Sequence, residues 1–122
     1  MFRAVLILSL LASPAFAFSA RNAVQVSGNS EKIVVASRSG LSSAQAWCGA
    51  GDFVISALRL PTTTRIYRIS PPPRRATEGI VFSLSATGAS EDTGLNTFGK
   101  KDNSVSAGHA VSLCTVGRWE YQ

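Results

Sequence analysis

The chain has 122 residues, with 45% hydrophobic and 16% charged side chains and a formal net charge of +5 at neutral pH. This length predicts one small domain. One histidine and two cysteines, with no Cys-x-x-Cys, do not supply the ligands of the usual structural zinc motifs, and the positive balance bears on partners and solubility rather than on fold.

The first residues carry one positive charge, Arg3, followed by an apolar run over 4–12 and the breaker Ser13-Pro14. The run is shorter than the ~20 residues a membrane span needs. Ala15 and Ala17 supply the small residues read by a signal peptidase, so the expectation is a cleavable signal peptide over 1–17, cut after Ala17. No cysteine stands just after the run to take a lipid. The mature chain, 18–122, is therefore expected as one domain without a transmembrane segment, periplasmic or secreted. Loss of Arg3 takes the twelve basic residues to eleven, against seven acidic ones, for a net charge of +4.

In the mature chain, residues 22–27 alternate, with Val24 and Val26 on one face. Gly28 and Asn29 signal a two-residue turn, and 31–37 place Ile33 and Val35 on one face. Two such runs predict a β-hairpin. Ser42 and Gln45 form the sequence pattern of a capping box. Beyond it, Ala44, Trp47, Cys48, Gly51, Ile55 and Leu58 recur at helical spacing. The preferred reading is a helix over 43–58, in which Gly49 and Gly51 allow close approach to a sheet. The alternative ends the helix near Cys48. Pro61 confines it in either case.

Residues 63–70 are rich in Thr, Ile and Tyr and predict a strand, ended by Pro71, Pro72 and Pro73. Residues 79–86 predict another, with Ile80, Phe82 and Leu84 on one face. A long polar loop is expected over 87–108, since its sizeable apolar residues are only Leu95, Phe98 and Val105. Residues 109–116 are read as the final strand. The order β-β-α-β-β-β predicts an α+β fold, with one helix on a small antiparallel sheet. In an oxidising compartment Cys48 and Cys114 are expected to form a disulfide joining the helix to that last strand.

Residues 59–75 hold Arg59, Arg65, Arg68, Arg74 and Arg75 with no acidic residue among them. Guanidinium forks suit carboxylates and phosphates, so these five are candidate anion-binding residues, set against the plainer reading of a solvated basic surface. Trp119 and Tyr121 share a face if the C-terminus is extended and are candidate aromatic contacts, set against packing on the sheet. His109 has no serine in a Gly-x-Ser-x-Gly context to serve. Glu91, Asp92, Asp102 and Asn103 do not match a calcium loop, and Lys100 and Lys101 stand among them. No cofactor, metal or catalytic set is assigned, and no nucleic-acid reading motif is present.

Three functions follow as expectations. The first is a non-enzymatic envelope or secreted binding protein, using its arginines for an anionic envelope polymer or an acidic protein. The second is an inhibitor of an envelope or host hydrolase, presenting loop 87–108. The third is a small hydrolase using His109.

Overall fold

The computed structural model describes residues 17–95 and 103–115. Strands β1 (Phe18–Ser19), β2 (Gln25–Gly28) and β3 (Ile33–Val35) come first, then helix α1 (Ser43–Asp52), continued by a π-helical turn (Phe53–Ala57). Strands β4 (Arg65–Arg68), β5 (Ile80–Ser83) and β6 (Ser104–Ser106) follow. The described chain closes with helix α2 (Ala107–Ser112) and a 3-10 turn (Leu113–Thr115).

The six strands form one sheet in the order β1-β2-β3-β5-β4-β6, every neighbouring pair antiparallel. Strand β5 therefore lies between β3 and β4, which run parallel to each other and are joined through α1. The expected hairpin is β2–β3, with Val26 opposite Val35 and Gly28 opposite Ile33. Its loop is four residues long, 29–32, and not the two-residue turn expected at Gly28 and Asn29: Gly28 still pairs in β2, and the Asn29 side chain accepts from the backbone N–H groups of Glu31 and Lys32. Gly28 has φ +115°, and a Cβ there would overlap the Lys32 carbonyl oxygen.

Strand alternation puts one residue in two on the helix side of the sheet. Cross-strand rows on that side run Val26, Val35, Ile80, then Ile33, Phe82, Arg68, then Ile66, Val105. All eight are buried. Burying a Val, Ile or Phe contributes about 1.5–3 kcal/mol each. Arg68 is the one charged residue in these rows.

The capping box at the start of α1 is formed in full: Ser42 Oγ accepts from Gln45 N, and Gln45 Oε1 accepts from Ser42 N. The preferred sequence reading of one helical stretch over 43–58 agrees with α1 and its π-helical continuation. The helix is buried around its whole circumference from Ala46 to Asp52. A Cβ on Gly49 would lie 3.2 Å from Val26 on the sheet, and a Cβ on Gly51 would lie 2.7 Å from the Ala110 methyl of α2. The two glycines, two residues apart, thus admit a different layer on each side. Trp47 packs edge-on to Phe82, with centroids 4.7 Å apart, and donates its indole N–H to the Thr93 carbonyl.

The fold is α+β with a Cys48–Cys114 disulfide, as expected. Three further expectations are corrected. A short strand, β1, precedes the hairpin and pairs with β2, so the order is β-β-β-α-β-β-β-α. The polar stretch 87–108 does not run as one loop. Residues 104–106 form β6 against β4, because Val105 fills the core beside Ile66, and Ala107 already belongs to α2. Residues 109–115 are not a strand. Ser106 caps α2 by accepting from His109 N, and Ala107 and Ala110, one helical turn apart, bury against Gly51. Cys114 therefore sits in the 3-10 turn after α2, and the disulfide joins α1 to that turn.

Candidate functional site

Where α1 begins, the chain bends at Pro72 and Pro73 beside a recess of about 440 Å³. Its buried side is formed by Leu41, Ile80 and Arg68, and its more exposed side by Pro73, Ala76 and Gly94, with Ser43, Pro72 and Arg74 half-buried between them. None of these is acidic. A second cavity of about 430 Å³, lined by Ser30, Glu31, Ser83, Leu84, Ser85 and Thr87, carries a carboxylate and no cation.

Arg68 is only 1% exposed. Its Nε donates to the Ser70 carbonyl at 2.7 Å, and its Nη1 donates to Ser43 Oγ at 3.0 Å and to the Thr93 carbonyl at 3.2 Å. These contacts hold the guanidinium against the first turn of α1. Nη2 makes no hydrogen bond with a described residue; since no fully buried side-chain nitrogen or oxygen among them lacks a partner, Nη2 keeps some exposure, and Arg68 forms no ion pair among them. Burial lowers its pKa from the ordinary value, and the charge of Asp92 opposes that shift. The Asp92 carboxylate accepts from Gly94 N at 2.8 Å instead of bonding Arg68. Arginine stays protonated in proteins, so a full positive charge sits in the core next to the positive end of a helix dipole whose first turn has no acidic residue.

Arg74 adds a second cation at the mouth. Its Nε donates to the Leu41 carbonyl, Nη2 to the Arg38 carbonyl at 2.7 Å, and Nη1 reaches the carbonyls of Arg75, Ala76 and Glu78. These bonds stitch the segment before α1 to the turn before β5. All its partners are neutral carbonyls. Gly94, with φ +77°, leaves room for Ser43 Oγ and Arg68 Nη1, both of which a Cβ there would overlap.

Of the five candidate arginines, the fold brings Arg68 and Arg74 together. Arg65 points to the other face of the sheet and donates to Ser104. Arg59 is exposed just after the π-helical turn, with φ +55°, and Arg75 is exposed beside Arg74. None of these three lines the recess. His109 is exposed on α2, and its ring makes no hydrogen bond with a described serine or carboxylate. Among the described residues, no group of three His, Cys, Asp or Glu is placed to hold a metal ion. Trp119 and Tyr121 lie outside the described residues, as do Lys100, Lys101 and Asp102.

Ser43, Thr93 and Gly94 were not among the candidates. The sequence did hold one signal: Arg68 shares the strand face of Ile66, a core position by alternation.

No protein-family model matches the chain, and no curated protein or solved structure matches it either. No helix among the described residues is long and apolar enough to cross a membrane.

Proposed function

We propose that this is an exported, non-enzymatic binding protein of the periplasm or extracellular space that captures an anionic group in the Arg68–Arg74 recess. One observation carries the reading: a buried guanidinium at a helix N-terminus opens onto a cavity with no carboxylate bonded to it. An unpaired buried charge costs several kcal/mol, and a bound anion offsets that cost. The Ser42–Gln45 capping box satisfies the N–H of Gln45 but leaves the positive helix end facing the recess.

Two observations support export. Strand β1 begins at Phe18, the residue after the expected cleavage point, and the Phe18 ring packs edge-on to Phe53 at 5.8 Å. The Cys48–Cys114 disulfide is compatible with an oxidising compartment.

The test is thermal unfolding of the processed protein in acetate or phosphate against chloride at constant ionic strength. A specific anion raises Tm in a saturable way. Arg74→Gln should abolish the rise, whereas Arg59→Asn, which removes the same charge outside the recess and tolerates positive φ, should retain it. An equal loss in both variants, or no rise in the parent, rejects the site.

A further inference from the structure

We infer that the anion held in this recess is the carboxylate of a small molecule with an apolar body; the inference rests on the anion-binding reading above and names its ligand class. Three features carry it.

The first is depth. Arg68 is 1% exposed and lies on the buried side of the recess. Charges strung along a polymer or spread over a membrane surface meet the outside of such a recess, not its buried end. The ligand is therefore small enough to enter.

The second is the supply of donors. Arg68 has spent Nε and Nη1 on the protein, which leaves the two hydrogens of Nη2. Arg74 has spent Nε, Nη1 and one hydrogen of Nη2, which leaves one. Ser43 Oγ accepts from Arg68, and its own hydroxyl hydrogen is uncommitted among the described bonds. A carboxylate presents about four lone-pair sites on two oxygens, which this set can satisfy. A phosphate or sulfate brings further oxygens, for which the lining side chains hold no further uncommitted donor.

The third is the rest of the cavity. About 440 Å³ is more than a carboxylate group fills, and beside its polar atoms the lining includes carbon from Leu41, Ile80, Pro72, Pro73 and Ala76. An alkyl or aryl body removes that surface from water, which favours its binding. A few donor groups beside apolar side chains are a composition found in small-molecule sites.

The experiment is titration of the processed, disulfide-intact protein with hexanoate, acetate, inorganic phosphate and hexanol. It is followed by calorimetry and by backbone amide shifts at Ser43, Ala76 and Gly94. Hexanoate should bind about tenfold or more tighter than acetate or phosphate, hexanol should not compete, and the shifts should centre on those three residues. Phosphate or acetate binding as tightly as hexanoate overturns the ligand class while leaving the anion site standing. Hexanol binding as tightly as hexanoate overturns the anion site itself, and binding by none of the probes overturns both. Ala76→Glu provides the check on location. Ala76 is exposed at the mouth, so the variant folds, and its tethered carboxylate should raise Tm and weaken hexanoate about tenfold or more, whereas Ala76→Gln does neither. Undiminished hexanoate affinity in Ala76→Glu places the ligand elsewhere and overturns the inference.

Discussion

The Nη1 of Arg68 lies 3.0 Å from the hydroxyl oxygen of Ser43, so a side chain from the core face of β4 is fastened to the first residue of α1. This contact ties sheet, helix and recess together. Under the proposed function Arg68 is both a structural and a binding residue, because its Nε and Nη1 are held by the protein while Nη2 makes no bond with a described residue. Truncation by Arg68→Ala orphans the Ser70 carbonyl, removes one of the two donors to the Thr93 carbonyl, which keeps Trp47, and empties a core position. Each buried acceptor left unpaired costs about 1–3 kcal/mol, partly offset by removal of the buried charge. The expected net loss is about 2–4 kcal/mol in a urea titration. Arg68→Met, which keeps the stem and discards the charge, should lose less.

The pair Gly49 and Gly51 gives a prediction with opposite leanings. Gly51→Ala forces a methyl to within 2.7 Å of the Ala110 side chain and 3.0 Å of α2 backbone. Overpacking of this kind costs about 1–3 kcal/mol. Gly49→Ala meets only the Val24 and Val26 side chains, at 3.2 Å or more, and gains about 1 kcal/mol of helix propensity. Urea midpoints should show Gly51→Ala clearly destabilised and Gly49→Ala close to the parent.

The disulfide closes a separation of 66 residues between α1 and the 3-10 turn after α2. Loop-closure entropy for that length gives about 4 kcal/mol of stabilisation, in a model that assigns the effect to the unfolded chain. The double replacement Cys48→Ala with Cys114→Ala should lower the unfolding free energy by about that amount. Because Cys48 is fully buried, dithiothreitol should reduce the native protein slowly and the urea-unfolded protein quickly. Thiol titration against time checks the contrast.

The Ser42 cap should behave as a local feature. Ser42→Ala removes the acceptor for Gln45 N and should cost about 1 kcal/mol, while Ser42→Asp should preserve the cap. An added carboxylate at that position also faces the positive helix end, so Ser42→Asp should equal or exceed the parent in Tm.

Some of this architecture is written in short stretches of chain. The Ser42–Gln45 box closes over three residues, the β2–β3 hairpin over a four-residue loop, and the alternation of Ile80 and Phe82 over one strand. Each depends on neighbours in sequence, so each was legible there, and the even cysteine count in an expected exported chain pointed to the disulfide. The remainder was decided by contacts between distant residues. Residues 104–106, two serines around a valine, become a strand only because β4 presents an unpaired edge and Val105 fits beside Ile66. Residues 107–112 become a helix because Ala107 and Ala110 find the bare backbone at Gly51, a partner more than fifty positions away in the chain. The arginines show the same division. Their clustering in 59–75 was visible as charge, but whether each faces water, carbonyls or a cavity depends on which strand face it occupies and what packs there. Alternation along β4 sends Arg65 to one face and Arg68 to the core face, and the packing there brings Arg68 and Arg74 to one recess that Arg59, Arg65 and Arg75 do not line.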